Sequence, residues 1–442
     1  MRHMDEARKA ALKVLREEIR AGGADGANRT VLVEDLFGRL RLVVFSQGTN
    51  GGGSGVEGIE AGLRLVASPY WTGETLVASA GRTADLALAE RAWKEGLPDE
   101  ELPDRLRVLD RHRNRGWWFE TGTQPPWGAP SKDRPAPPIL SFYSFKGGVG
   151  RTTALAAFAI QRARAGESVV VVDADLDAPG VGQLLSNEEP DSIPPWGLAD
   201  FLLERRLGPV DLGDYFYSCR SEAIVGRGSI SVVPTGRLDE GYLGKLARLD
   251  LEPAQQGDGG ETLVQLLTQL RDERQPDWIL LDSRAGLADP AGALLGGLAH
   301  LNVLFGTSGE SSWAGLRIVL GRLGRERVRR GLPQADCVLV HGMVSAEVSE
   351  EARAEFKGRS LDEFEEVFYA ADPDDEEERS TDVWYVGDAE SGDAPHVPVP
   401  IHYNHRLAFF SRLEAVADLL AGEPDYVALT QRVAARFRRE EP

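Results

Sequence analysis

The sequence predicts an α/β fold, a mostly parallel sheet covered by helices on both faces, preceded by a small amino-terminal α+β domain. Three observations indicate this. From residue 139 onward, apolar strand-like segments alternate with helix-compatible segments, as in sheets buried on both faces. A glycine-rich loop joins the first of these strands to the next helix. A proline-rich segment separates this region from the first 120 residues.

Composition narrows the class of protein. A chain of 442 residues exceeds one ordinary core, which predicts two or three domains. Lys and Arg number 50 against 70 Asp and Glu, and the net charge of −20 opposes indiscriminate binding to nucleic-acid phosphates. The two cysteines, Cys219 and Cys337, fit a reducing compartment. No apolar run approaches the roughly 18 residues that span a bilayer, and no secretion signal opens the chain, so we expect a cytoplasmic protein without a transmembrane segment.

Residues 1–120 are predicted to form the α+β domain, whose role the sequence does not indicate. Its predicted elements are a helix over 5–21, strands over 30–34 and 39–46, a third strand over 63–66, and a helix that ends at Gly96. The glycine-rich segment 48–55 is predicted to have no fixed structure of its own. Residues 121–138 are predicted to be a linker, because proline removes backbone donors and favours extended conformations.

Residues 139–442 are predicted to form one further domain, with an acidic insertion around 350–395. Within it, the like charges of residues 362–378 predict a solvated loop. The predicted strands cover 139–144, 168–173, 229–233, 278–282, 301–305 and 337–341.

The strand ILSFYS is followed directly by FKGGVGRTT at 145–153 and then by a helix-compatible run. Successive N–H groups at a helix amino terminus hold polyphosphate well, and glycines permit its close approach. The hydroxyl of Thr152 would bind Mg²⁺. The sequence therefore predicts a triphosphate site made by Lys146, Gly147, Gly148, Val149, Gly150, Arg151, Thr152 and Thr153.

Carboxylates end two of the predicted strands. Asp173, Asp175 and Asp177 alternate after the strand that begins at residue 168, and Asp282 ends the strand WILLD. The carboxyl edge of an open α/β sheet is where ligands bind. Asp282 would hold Mg²⁺ through a coordinated water, and the aspartates after the strand at 168 are well placed for water and Mg²⁺. Together with the Thr152 hydroxyl, this makes Thr152, Asp282 and Asp175 the predicted metal-binding residues.

The segment FKGGVGRTT resembles the deviant Walker A motif of the MinD/ParA superfamily of P-loop ATPases, and in particular its KGGVGR subgroup. The resemblance implies ATP and Mg²⁺ as cofactors. It also implies that Lys146 reaches the phosphates of a partner subunit when two protomers sandwich two nucleotides. Arg151 replaces the second lysine, and its planar guanidinium prefers bidentate contacts, so hydrolysis could be slow.

The following motifs resemble the switch segments of that family. DADLD is similar to switch I, which implies that Asp175 orients the attacking water, with Asp177 as the second candidate for the water or the outer metal shell. The residues after Asp282 resemble switch II, with Arg284 where proline is common. Arg284 could stabilise the transferred phosphate, or it could be a plain surface arginine.

The sequence thus predicts an ATPase switch that forms a nucleotide-sandwiched homodimer and signals to an unknown protein through its amino-terminal domain. One alternative is an ATP-sensing scaffold with little turnover. Another is a DNA-segregation ATPase, although we favour a solvated helix end over nucleic-acid contact for the cluster Arg322, Arg325, Arg327, Arg329 and Arg330. A related bacterial tyrosine kinase is disfavoured because the carboxy-terminal tail contains only Tyr426.

Overall fold

The computed structural model divides into two compact units, Met1–Gly116 and Trp117–Pro442. The described residues are 3–21, 29–35, 37–46, 53–79, 82–111, 124–130, 136–186, 193–205, 207–251, 258–287, 294–345, 347 and 350–437. The unit boundary lies before the predicted linker, and the described linker residue Trp127 belongs to the second unit. Its indole donates to the carbonyl of Pro137 at 2.8 Å, and its own carbonyl lies 2.9 Å from Nε2 of His300.

The first unit is a five-stranded mixed sheet with three helices. Its elements are α1 (Met4–Arg20), β1 (Thr30–Glu34), β2 (Leu40–Ser46), α2 (Gly53–Ala67), β3 (Trp71–Ser79), α3 (Thr83–Glu95), β4 (Leu97–Pro98) and β5 (Leu106–Asp110). The strand order is β3-β2-β1-β5-β4, with β1 antiparallel to β2 and parallel to β5. Helices α1 and α2 bury apolar side chains on one face of the sheet, and α3 does so on the other.

The predicted third strand at 63–66 is wrong, because these residues belong to α2. Ile59, Leu63 and Ala67 recur at helical spacing and are all fully buried. They belong to the same core as Leu15 of α1, so packing between two helices decides the conformation of a short apolar run. The segment 48–55 lies largely outside the described residues, and its last three residues begin α2.

The second unit is built around an eight-stranded sheet. Its elements are β6 (Ile139–Ser144), α4 (Arg151–Arg164), β7 (Ser168–Ala174), α5 (Val181–Leu184), α6 (Leu198–Glu204), β8 (Tyr217–Ser218), α7 (Glu222–Val225), β9 (Ser229–Val233), α8 (Tyr242–Leu251), α9 (Asp258–Arg274), β10 (Trp278–Ser283), β11 (Leu301–Gly306), α10 (Glu310–Leu323), α11 (Arg325–Arg329), β12 (Cys337–Val344), α12 (Glu350–Val367), β13 (Val399–His402), α13 (His405–Ala408), α14 (Ala417–Gly422) and α15 (Pro424–Ala435).

The strand order is β13-β12-β11-β6-β10-β7-β9-β8, and every neighbouring pair is parallel except β8 and β9. All six strands predicted in this region are present, and the predicted fold class is confirmed. The register pairs Asp282 of β10 with Phe142 of β6 on one side and with Asp173 of β7 on the other. The carboxyl ends of three strands therefore meet at one point of the sheet edge.

Helices cover the sheet on both faces. On one face, α4 packs with α14 and α15, and Phe158 at its centre is fully buried. On the other face, α6 and α9 cover one half of the sheet, while α10 and α12 cover the other. None of the helices within the described ranges combines the length and apolar character needed to cross a membrane.

The prediction that residues 362–378 form a solvated loop is wrong for its first part. Helix α12 extends through Val367, and Phe364, Phe368 and Tyr369 are completely buried in the core beneath α10. The acidic residues occupy the outer face of this helix while the aromatic residues face inward. A high density of acidic residues is therefore compatible with an amphipathic helix and does not by itself indicate a loop.

Candidate nucleotide-binding site

The loop between β6 and α4 has the backbone shape expected of a phosphate cradle. Gly148 and Gly150 have φ angles of +74° and +88°, which L side chains rarely adopt and which glycine tolerates. A Cβ atom placed on Gly147, Gly148 or Gly150 would meet no atom within 4 Å. The loop thus presents backbone to open space, where an anion can approach closely.

The amino terminus of α4 adds a favourable electrostatic end to this cradle. Gly150 is the N-cap residue, and no side chain caps the helix. The first-turn N–H groups, which have no partner within the helix, therefore need an external acceptor, and the helix dipole favours a negative one. Phosphate oxygens meet both requirements.

Arg151, in the first turn of α4, bridges the two carboxylates predicted for catalysis and metal binding. Its Nε donates to Oδ1 of Asp282 at 2.8 Å, and its Nη2 donates to Oδ2 of Asp175 at 2.9 Å. The residue is 9% exposed, and its Nη1 is buried without a hydrogen-bond partner in the described structure. The guanidinium thus neutralises both carboxylates and keeps one donor atom for a further acceptor.

Thr152 and Asp282 lie together beside this ion pair. The Thr152 hydroxyl donates to Oδ2 of Asp282 at 2.9 Å, and Asp282 is fully buried. Burial raises the pKa of the Asp282 carboxyl. The positive charge of Arg151 and the hydrogen bond from Thr152 act in the opposite direction and lower it. Hydroxyl and carboxylate oxygens are hard ligands, so these two residues fit Mg²⁺. No group of three or more His, Cys, Asp or Glu side chains in the described ranges is arranged to hold a metal ion, so Mg²⁺ would need further oxygens from nucleotide and water.

The structure gives three different environments to the alternating aspartates. Asp173 is fully buried and accepts from the N–H groups of Gly180 and Gly182 at 3.1 and 2.9 Å, and burial raises its pKa to about 7. Asp175 is 5% exposed and pairs with Arg151. Asp177 has a half-exposed carboxylate. Only Asp175 therefore joins the cluster around Asp282, while Asp173 holds the turn that follows.

Arg284 connects the two predicted switch segments. Its guanidinium forms an ion pair with Asp177, and both side chains are partly exposed. Nearby, Gly286 has a φ of +82°, its N–H donates to the Ser144 carbonyl at 3.1 Å, and its own carbonyl accepts from the hydroxyl of Tyr143 at 3.0 Å. The start of the second segment is therefore fixed against the end of β6.

The remaining predicted residues take separate positions. Lys146 is exposed, and none of the residues described bonds to it. Val149 is buried and packs in the core next to α4, and its carbonyl lies so near Gly342 that a Cβ there would approach it to 2.7 Å. Thr153 is partly exposed on α4. The structure thus brings Arg151, Thr152, Asp175 and Asp282 together but leaves Lys146 and Thr153 outside their cluster.

Sequence reasoning missed the contact that fixes the start of the loop. A Cβ on Gly315 of α10 would lie 2.0 Å from the ring of Phe145, so the ring rests directly on the helix backbone. A glycine inside a helix costs about 1 kcal/mol relative to alanine, which makes such a residue a signal of close packing. Gly315 carried that signal in the sequence.

The arginine cluster is largely engaged within the chain. Arg322 and Arg330 pair with Glu326, and Arg325 donates to backbone carbonyls at 365, 366 and 369. Arg327 is 8% exposed and donates to the carbonyl of Pro333 at 2.7 Å. Four of the five side chains therefore have intramolecular partners, which leaves little free positive charge for nucleic acid.

Comparison with known proteins gives the family. A family model described as the CobQ/CobB/MinD/ParA nucleotide binding domain matches residues 140–372. Similar solved structures include pNOB8 ParA bound to nonspecific DNA, with 16% identity, 69% of this chain and 100% of that chain covered, and a TM-score of 0.45. An ATP complex of McdA from Cyanothece is 14% identical, with 68% of this chain and 97% of that chain covered and a TM-score of 0.44. The cell division ATPase MinD from Pyrococcus furiosus is 22% identical, with 49% of this chain and 78% of that chain covered and a TM-score of 0.34.

No curated protein matches the chain. The region matched by the family model covers more than half of the 442 residues and contains the glycine loop, Asp175 and Asp282. The match confirms the predicted MinD/ParA-type assignment, whereas the KGGVGR variant and the roles of single residues stay predictions. The chain belongs to the CobQ/CobB/MinD/ParA family of nucleotide-binding domains.

Proposed function

We propose that this chain is an ATPase switch that binds Mg²⁺-ATP at the glycine loop, forms a nucleotide-sandwiched homodimer and signals its state to a partner protein. The observation that carries the proposal is the open glycine cradle and uncapped α4, adjoined by Arg151, Thr152 and Asp282. Phosphoryl transfer needs mainly positioning and charge stabilisation from a protein, and this arrangement supplies both.

Each residue of the cluster has a proposed role. The amides from Gly147 to Gly150 and the guanidinium of Arg151 would hold the phosphates, while Thr152, Asp282 and Asp175 would hold the magnesium ion. When bound, Mg²⁺ supplies positive charge that offsets the charge of the phosphates. Asp175 orients the attacking water, with Asp177 as the second candidate.

Arg151 links binding to catalysis in this proposal. In the structure its Nη2 occupies one oxygen of Asp175, and the N–H of Ala178 occupies the other at 3.1 Å. A guanidinium that turns toward phosphate releases the first of these oxygens, and that oxygen can then accept a hydrogen bond from water. The residue that binds the nucleotide thereby frees the residue that orients water.

The dimer is supported by the position of Lys146. A lysine at the loop edge, exposed and without a described partner, is available to contact the nucleotide of a second protomer. The amino-terminal unit is proposed to report the dimer state to a protein whose identity the structure does not indicate. The preference for ATP over GTP rests on the family resemblance.

A second candidate function is an ATP-sensing scaffold with little turnover. The bridging of Asp175 and Asp282 by Arg151 favours it, since hydrogen-bonded ion pairs to two buried carboxylates oppose reorientation of the guanidinium. The two functions differ in phosphate release. The test measures ATP affinity and phosphate release on the same protein. Release of less than one phosphate per bound ATP over hours would favour the scaffold, and steady release would favour the switch.

The DNA-segregation alternative has less support, because most of the arginine cluster is engaged within the chain. A gel-shift experiment with nonspecific duplex DNA at low salt tests it. We expect no retarded band with ATP, and an ATP-dependent band would favour this alternative.

The homodimer is tested by size-exclusion chromatography with light scattering. We expect a monomer mass with ADP, a dimer mass with ATP, and a monomer mass for Lys146→Ala with ATP. Lys94→Ala, which changes an exposed lysine on α3, is the control and should dimerise as the parent does. One mass under all conditions would remove the dimer switch.

A further inference from the structure

The loop after β7 places Leu176 between the two aspartates proposed for catalysis. Asp175 points to Arg151 and Asp177 to Arg284, whereas the Leu176 side chain is 4% exposed and belongs to the core beneath α6 and α9. Leu176 thus anchors the segment from which both carboxylates project. Any displacement of its backbone moves both aspartates relative to the glycine loop.

The backbone carbonyl of Leu176 is held by a tyrosine distant in sequence. Tyr242, the first residue of α8, is 5% exposed, and its hydroxyl donates to that carbonyl at 2.8 Å. Its ring lies in the same core cluster as Leu176 and Val233. Because a buried carbonyl without a donor is costly, this bond opposes alternative positions of the loop.

The surroundings of Tyr242 hold α8 in place and keep the hydroxyl protonated. Thr235, which is 2% exposed and follows β9, lowers the pKa of the Tyr242 hydroxyl and so opposes the effect of burial. One helical turn further along α8, Lys245 pairs with Oδ1 of the buried Asp200 at 2.8 Å and so ties α8 to α6. Burial raises the pKa of Tyr242 to about 12, so its hydroxyl remains a donor at neutral pH.

We propose that Tyr242 is a positioning residue for ATP hydrolysis, which acts through the Leu176 carbonyl to hold Asp175 and Asp177 in register with the glycine loop. This inference rests on the proposed ATPase function. Tyr242 is distant from the phosphate-binding amides in the chain and contacts neither Arg151 nor Thr152 by any described hydrogen bond. Loss of its hydroxyl should therefore affect the chemical step and leave nucleotide binding intact.

The test compares Tyr242→Phe with Tyr215→Phe in the full-length chain. Tyr215 is a matched control, because it is 4% exposed, belongs to the same core cluster and donates its hydroxyl to Glu204 away from the loop. Phosphate release gives kcat and KM. We expect Tyr242→Phe to lower kcat by about threefold to tenfold, as for loss of one hydrogen bond, with KM unchanged.

Hydrogen exchange provides a readout that does not depend on turnover. In Tyr242→Phe the amides of residues 174–178 should exchange faster than in the parent, while those of α4 should not change. In Tyr215→Phe the amides of residues 174–178 should exchange as in the parent.

The outcomes separate this inference from the proposed function. If the parent hydrolyses ATP and both tyrosine variants match it, or both lose activity equally, Tyr242 has no positioning role. If KM rises while kcat is unchanged, the residue serves binding and the inference is wrong. A parent that binds no ATP would overturn the proposed function, and the inference with it.

Discussion

Arg151→Ala is the substitution that most directly probes the charge cluster. The side chains of Arg151, Asp175 and Asp282 are 10%, 7% and 1% exposed, so the ion pairs are screened little by solvent. Removal of one partner from a buried ion pair typically costs about 3–5 kcal/mol, because the other charge is left unpaired. Here two carboxylates lose their shared cation. We expect the free energy of unfolding to fall by at least about 3 kcal/mol in the absence of nucleotide.

The matched control is Arg164→Ala, the same substitution in the last turn of the same helix. Arg164 pairs with Asp418, whose side chain is 97% exposed, and such surface pairs contribute about 0–1 kcal/mol. Urea unfolding followed by tryptophan fluorescence at neutral pH measures both variants. Equal losses of stability in the two variants would refute the account of the buried cluster.

Magnesium gives a second arm to this experiment. In the parent, Arg151 already neutralises the two carboxylates, and a divalent cation has to compete with it. In Arg151→Ala the carboxylates are free of that competition, so millimolar MgCl₂ should stabilise this variant more than the parent. The same magnesium effect in both proteins would show that Asp175 and Asp282 do not form the metal site.

Three further predictions follow from contacts of single residues. Gly315→Ala should lower stability by about 1–3 kcal/mol and weaken ATP binding, because its Cβ would overlap the ring of Phe145. The control is Gly309→Ala, whose Cβ would meet open space, and calorimetry should show no change in its stability or its ATP binding. Arg284→Ala should leave ATP affinity unchanged and slow phosphate release, and unaltered release would identify only a surface ion pair. Burial lowers the pKa of His341 from 6.5 to about 4, so protonation favours the unfolded chain and stability is lost as pH falls through this interval. The melting temperature of His341→Gln should therefore fall less over that range than that of the parent, and an equal fall in both proteins would show that His341 does not contribute to the pH dependence.

The fold of the second unit could be predicted from sequence because its signals are local. Each of the six predicted strands is a short apolar run buried on both faces, and each is present. The glycine loop could also be predicted from the sequence, since the glycines at 148 and 150 take φ angles that few other residues adopt. Local chemistry and tertiary structure agree at these positions.

Predictions failed where distant packing decides the outcome. The run at 63–66 is apolar enough for a strand, but contact with α1 makes it helical. The acidic stretch from 362 hides Phe364 and Phe368 on its inner face. At the site, sequence placed Arg151 toward phosphate but could not indicate its bonds to Asp175 and Asp282, which lie 24 and 131 residues away in the chain. Tyr242 carried no motif at all.

The proposed function requires that the loop around Gly150 binds Mg²⁺-ATP. Isothermal titration calorimetry of ATP with MgCl₂ into the parent and into Gly150→Val tests it most directly, because valine is strained at a φ of +88° and would project into the open cradle. Gly208→Val, at a glycine of ordinary φ with open space around it, is the control. We expect one ATP per chain for the parent and the control, and no binding for Gly150→Val. Absence of heat with the parent, or equal binding by all three proteins, would contradict this expectation.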